Sequence, residues 1–324
     1  MEENNKNYNQ LSFHGEGGKL FGIQIVNIIL SILTLGIYYP WAKASVLKYL
    51  YQETEFLGSK FTFHGTGREM LRGFLFAVAY FILLYAGLMV CIYLAAENPE
   101  LLFLQAIGIG IFYLGILAII PIAIHGSLKY RLSRTSWRGI HFGYRGQLGV
   151  LYKKFLLDAF LTIITLGIYA AWMRANLSRY TIGNIRFGSV EFRFTGSGGE
   201  LFGIFIVGYL LSIVTLGIYS FWWMKDIYNY YINNTHAIQD NEQIEIKSSI
   251  TGGSLAGLLI VNIVLIIISL GLATPWATVR TLTYIYKNIN ISDALNPDTI
   301  QQTEEEYKDA IGEDIGDMLD LDLM

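Results

Sequence analysis

The chain has 324 residues, 53% of them hydrophobic and 15% charged, with 23 Lys and Arg against 26 Asp and Glu. A typical soluble domain carries about a quarter charged residues, so this composition excludes an ordinary soluble globular protein and points to the membrane. The single cysteine, Cys91, excludes an intrachain disulfide and any CxxC redox or zinc site.

The first eighteen residues, "MEENNKNYNQLSFHGEGG", are polar, and no basic segment with a small-residue cleavage site precedes the first apolar run. They are therefore expected not to be a removable signal peptide. Six apolar runs follow, over 20–39, 73–95, 101–124, 151–171, 201–223 and 255–276. Each is about 20 residues, the length that crosses a hydrocarbon layer of ~30 Å as a helix.

The runs belong to an internal repeat. Strand-like alternation ending in glycine recurs as "LSFHGEGG" (11–18), "FTFHGTG" (61–67), "FGYRGQL" (142–148) and "FRFTGSGG" (192–199), with a worn copy "SSITGG" (248–253). Taking Gly15, Gly65, Gly146, Gly196 and Gly252 as equivalent gives five units, the second enlarged by an extra membrane helix. A second motif closes the apolar runs: "TLGIYYPWAK", "TLGIYAAWMR", "TLGIYSFWWM" and "SLGLATPWAT". From the motif glycines Gly36, Gly167, Gly217 and Gly271, a tryptophan follows at a constant interval: Trp41, Trp172, Trp222 and Trp276. Tyr49, Tyr180, Tyr230 and Tyr284 then follow these tryptophans, again at one spacing. Glycine breaks a helix, proline suits the first turn of the next, and Trp and Tyr concentrate at headgroup level. The motif therefore reads as a corner between two helices at a membrane surface.

The fold expected is mainly α: a polytopic helical membrane protein of about six hydrophobic segments, built from five degenerate repeats with short β-strand-like connectors. Its parts are a polar segment over 1–10, a repeat domain over 11–291 and an acidic tail over 292–324. The units fall at about 11–55, 56–135, 136–185, 186–238 and 239–291.

The pairing of "FHGEGGKLFG" and "FTGSGGELFG" with "TLGIYYPWAK" and "TLGIYSFWWMK" resembles the YjgN-like family of bacterial inner-membrane proteins of unknown function, over roughly residues 11–290. The resemblance implies a multi-pass protein of the inner membrane, with the lipid bilayer as its surroundings. It brings no catalytic residue, ligand or cofactor.

Two topologies fit the runs. In one, each run crosses once, and the basic loops favour the side holding Lys43–Lys60 as cytoplasmic. In the other, each unit is a helical hairpin that turns at its motif glycine, so that all five strand copies meet on one face and could form a sheet.

One position inside the apolar helices is polar in three of four copies: Asn27, Asp158 and Asn262, with Gly208 in the fourth. Intramembrane ionisable residues are costly and often functional, so Asp158 is the leading candidate site, with Asn27 and Asn262 as hydrogen-bond partners across a repeat interface. The competing reading is that all three only tie helices together. His14 and His64 fall at strand ends with no further metal ligands at a binding spacing. The glycine turns match no complete phosphate-loop pattern. No metal, cofactor or catalytic set is expected, and basic residues beside apolar runs suit lipid headgroups rather than nucleic acid. The acidic tail reads as a solvated segment, or as a short helix docking a protein partner through Ile311, Ile315, Met318 and Leu319. The functions in contention are a small-solute transporter or channel and a non-transporting envelope scaffold; an enzyme is not expected.

Overall fold

The computed structural model describes residues 7–304. Its polypeptide alternates between strands and pairs of helices. After β1 (Tyr8–Gln10) and β2 (Ser12–Phe13), α1 (Gly17–Leu33) and α2 (Tyr39–Gln52) form the first helical hairpin. The second unit adds β3 (Thr54–Phe56), β4 (Ser59–Phe63), α3 (Gly67–Glu97) and α4 (Phe103–Ser133). The third is β5 (Thr135–Trp137), β6 (Ile140–Tyr144), α5 (Leu148–Ile164) and α6 (Ala170–Gly183). The fourth is β7 (Ile185–Phe187), β8 (Val190–Phe194), α7 (Gly198–Val214) and α8 (Ser220–Asn233). The last is β9 (Thr235–Gln239), β10 (Glu242–Ser248), α9 (Gly252–Ile268) and α10 (Thr274–Lys287), followed by β11 (Ile289–Ser292).

The strands are not isolated connectors. They form one antiparallel sheet in the order β1-β11-β10-β9-β8-β7-β6-β5-β4-β3-β2. Its two ends are consecutive pieces of chain: Tyr8 pairs with Ser292, Ser12 pairs with Glu55, and only Leu11 lies between the two strands. The sheet is thus bent into a nearly closed ring. Tight turns set its register: Leu57-Gly58, Arg138-Gly139 and Asp240-Asn241 all have positive φ, as two-residue antiparallel hairpins require. Every strand hairpin sends side chains into one apolar cluster of Phe56, Trp137, Phe187, Val190, Ala237 and Ile244, against which Leu11 and Ile291 pack.

The expectation of a mainly helical fold with six membrane-length segments is therefore corrected. Among the described residues only two helical stretches are long and apolar enough to cross a membrane, Gly67–Glu97 and Pro99–Ser133. The other four apolar runs each bend. α1, α5, α7 and α9 have 17 residues and the return helices 14, or about 25 Å and 21 Å at 1.5 Å per residue. Neither reaches ~30 Å. The hairpin topology is the one the backbone adopts. Hydropathy alone concealed it because the turn is itself apolar, so an apolar window runs through the bend.

That turn has a definite construction. Leu35, Leu166, Leu216 and Leu270 sit in the left-handed region at φ near 50°, each followed by a motif glycine at φ near 90°. Gly36 N–H donates to Ser31 O and Leu35 N–H to Ile32 O, closing the helix as a Schellman motif. The helix thus ends at the leucine, one residue before the glycine to which the sequence assigns the break. Thr34 Oγ1 donates to Leu30 O and accepts from Tyr38 N–H, joining the two helices with no water needed. Thr165, Thr215 and Ser269 repeat this bond to the second helix.

The helices close a second ring, in which each packs on its chain neighbours and α10 packs back on α1. A Cβ on Gly67, Gly198, Gly252 or Gly17 would overlap the ring of Trp41, Trp172, Trp222 or Trp276, respectively. Each motif tryptophan therefore wedges against the glycine that opens the first helix of the next unit, and Trp276 on Gly17 joins the last unit to the first. The tip-side turn of one hairpin rests on the base of the next, so the hairpins lean around the ring. The helix starts also correct the fifth register: Gly252 corresponds to Gly17, Gly67 and Gly198, and Ile250 takes the place of Gly15.

Residues 293–304, grouped with the tail on sequence grounds, lie against the sheet. Ile300 joins the apolar cluster, Gln239 Nε2 donates to Asn296 O and Thr299 Oγ1, and Glu304 pairs with Arg145. Ile311, Ile315, Met318 and Leu319 lie outside the described residues.

Candidate functional site

Asn27, Asp158 and Asn262 are 7%, 5% and 4% exposed, all on the first helix of a hairpin and facing the second. Asn27 Nδ2 donates to Ala42 O at 3.2 Å and Ser45 Oγ at 2.9 Å. Asn262 Nδ2 donates to Ala277 O at 3.3 Å and Thr281 Oγ1 at 3.0 Å. Asp158 accepts from Asn176 Nδ2 at 3.2–3.3 Å and from Tyr169 Oη at 3.3 Å. Every one of these bonds stays within its own hairpin, so the structure does not bring the three residues together. In the fourth unit the Trp223 ring fills the space beside Gly208. Volume is conserved where the polar bond is lost.

The third hairpin differs from its siblings. A cleft of about 510 Å³ between α5 and α6 is lined by Lys154, Asp158, Tyr169, Asn176, Arg179 and Tyr180, among others. Lys154 Nζ lies 5.5 Å from the centre of the Tyr180 ring. Arg179 donates to Gly196 O and Asn176 Oδ1, both neutral. Among the described residues neither cation has a carboxylate partner within ion-pair distance. The corresponding cleft of the first hairpin, about 590 Å³, is lined by Asn27, Ser45, Tyr49 and Lys19. There Lys19 is paired with Glu16 at 2.8 Å. Asp158 is legible in sequence; Lys154 and Arg179 are not singled out there, although Lys154 stands one helical turn before Asp158 on the same face.

The conserved-interval tyrosines latch each hairpin at its base. Tyr49 Oη donates to Glu16 O, Tyr130 Oη to Thr66 O, Tyr180 Oη to Gln147 O and Tyr230 Oη to Ser197 O, and Tyr284 Oη bonds Ser254 Oγ. His14 bonds Ser12 and Glu55, and His64 bonds Ser136 beside the His141 ring. Burial, followed by the charges of His141 and Arg134, holds His64 below the usual histidine range. Among the described residues no three His, Cys, Asp or Glu side chains converge as a metal site.

Comparison with known proteins matches the sequence to a family. A family model described as "Bacterial protein of unknown function (DUF898)" matches residues 8–195, 189–241 and 224–318. "Inner membrane protein YjgN" of Salmonella typhimurium (strain LT2) is 29% identical over 178 residues, covering 55% of this chain and 41% of that protein. "Inner membrane protein YjgN" of Escherichia coli (strain K12) is 30% identical over 152 residues, covering 47% of this chain and 35% of that protein. The matches thus span well under half the length of these relatives. No solved structure matches the chain. With the family model covering nearly all of the described residues, the chain belongs to the DUF898 family of bacterial proteins and is an inner-membrane protein of unknown function.

Proposed function

We propose that the protein is a non-transporting membrane scaffold in which one long hairpin crosses the bilayer and four short hairpins are embedded from one side. The observation that carries this reading is the state of the four tip leucines. Leu35, Leu166 and Leu216 are 94% exposed and Leu270 is 93% exposed, each flanked by further exposed aliphatic side chains. Four such tips in water would be a large apolar liability. In hydrocarbon they cost nothing, and the N–H groups of the turn are already bonded, Leu35 to Ile32 O, Gly36 to Ser31 O and Ile37 to Thr34 O, as a lipid environment favours. Against a solute path, the polar helix positions make their hydrogen bonds inside their own hairpins, and the sheet ring holds a cluster of aromatic and aliphatic side chains. The reading assigns the chain no chemical reaction.

The orientation follows from charge. Between Arg72 and Lys129 the only Asp, Glu, Lys or Arg residues are Glu97 and Glu100, at the turn of the long hairpin. The basic residues that flank the long hairpin therefore lie at its ring end, which the positive-inside rule places in the cytoplasm. The acidic segment beyond residue 304 serves in this reading as a docking segment for a protein partner.

Single cysteines at Leu35, Leu166, Leu216 and Leu270, on a C91A background, test the embedding. A bimane label at each tip should be quenched by nitroxide-bearing acyl chains and resist membrane-impermeant maleimide from either face. Labelling of the tips, or of a cysteine at position 158, by the impermeant reagent from the periplasmic face would replace the scaffold with a water-accessible path.

A further inference from the structure

We infer that the cleft between α5 and α6 binds the phosphodiester of an anionic phospholipid; this rests on the short hairpins being seated in lipid. The charge inventory comes first. Among the lining residues Lys154 and Arg179 contribute two positive charges and Asp158 one negative, and among the described residues no carboxylate lies within ion-pair distance of either cation. A monoanion brings the cleft to neutrality. The first hairpin has a cleft at the corresponding place without this imbalance, because its one lining cation is neutralised by Glu16. The difference is therefore chemical rather than a general property of the hairpins.

The shape then distinguishes a lipid from a small anion. Lys154, Arg179 and Tyr180 lie toward the base of the hairpin, near the strands that follow α6 and precede α5. From the cleft wall at Leu157, which is 60% exposed, an apolar stripe runs through Phe160 and Ile164 to the tip. These positions share one helical face. A headgroup at Lys154 would thus sit at membrane-surface depth while its acyl chains follow the stripe inward. Asp158 marks the inner limit of the polar zone, and its carboxylate, already accepting from Asn176 and Tyr169, opposes further negative charge.

The test uses the full chain in mild detergent, with phosphatidylglycerol retention read by native mass spectrometry and thermal midpoint recorded in parallel. Each basic residue near an anionic lipid surface contributes enough that K154Q should lower retention about fivefold. Lys154 is exposed, with its ammonium over the Tyr180 ring, so this change leaves the fold intact. R179Q should act in the same direction and R179K should restore binding, whereas D158N should raise retention, a sign that a purely structural role would not produce. Wild-type retention in both K154Q and R179Q would overturn the site. Displacement of the lipid by an equal concentration of inorganic phosphate would overturn the lipid assignment in favour of a free-anion pocket. Loss of the K154Q effect with protected tips sinks this site alone; aqueous tips sink the scaffold reading and with it the acyl-chain stripe on which the lipid assignment rests.

Discussion

Gly198 has no room for a methyl group because the indole of Trp172 lies against it, and the same fit recurs at three of the four other junctions of the helical ring. The third unit supports this assignment by exception. Its helix begins with Leu148 where the others have glycine, and the preceding unit has Ile122 after Pro121 where the others have tryptophan. Large-on-small is replaced by medium-on-medium, so the pair behaves as one volume. Gly198→Ala should then destabilise the protein by roughly 1–3 kcal/mol through overpacking. Thermal denaturation in detergent would show it as a lowered midpoint, and the double variant Trp172→Ile with Gly198→Leu should recover part of the loss. Recovery is the informative outcome, because two independent defects would add. The tryptophans were visible in sequence and their interval was regular, but their role was not. An aromatic residue at the end of an apolar run reads as an interfacial anchor, and only the contact with the next unit shows it to be a wedge.

At the scale of an element, the helical hairpin is stabilised where its chain reverses. Leu166 occupies a left-handed conformation that a side chain resists by about 1–2 kcal/mol, where glycine would be relaxed. A leucine there makes sense only if its side chain gains from lying in hydrocarbon, which ties the local strain to the membrane reading. Thr165 holds the bend: its hydroxyl donates to Leu161 O at 2.7 Å and accepts from Tyr169 N–H at 3.0 Å. Thr165→Val preserves shape and removes both bonds. Loss of a cap of this kind costs about 0.5–2 kcal/mol, so the thermal midpoint should fall, while Thr165→Ser should be nearly neutral because Ser269 already does the same work in the last hairpin. The repeat, the helix break and the strand alternation were all legible from residue spacing. The length of each membrane element was not, because Leu35, Ile37 and their equivalents continue the apolar run through the turn. The third cleft was legible only at Asp158, since Asn176, Arg179 and Tyr180 come from the return helix, which no spacing rule connects to Asp158, and Lys154, one turn before it on the same helix, reads in sequence as one more basic residue.

For the whole molecule, the decisive join is one that the N-terminal sequence hides. "YNQLSF" is short and polar, yet Tyr8–Gln10 pairs with β11 on one side and Ser12–Phe13 with β3 on the other, with Leu11 turned toward the apolar cluster. One segment thus covers both edges of the sheet. Without it β3 and β11 would expose unpaired N–H and C=O groups, the arrangement that invites edge-to-edge association. Deleting residues 1–6 should leave the ring intact, whereas deleting residues 1–13 should open it and expose both edges while the helical hairpins keep the protein in the membrane. Size-exclusion chromatography in mild detergent would then show higher-order species for the longer deletion only, and adding back a peptide of residues 7–14 should reverse them. An unchanged profile for the longer deletion would mean that the helical ring, closed by Trp276 on Gly17, holds the circle without help from the sheet.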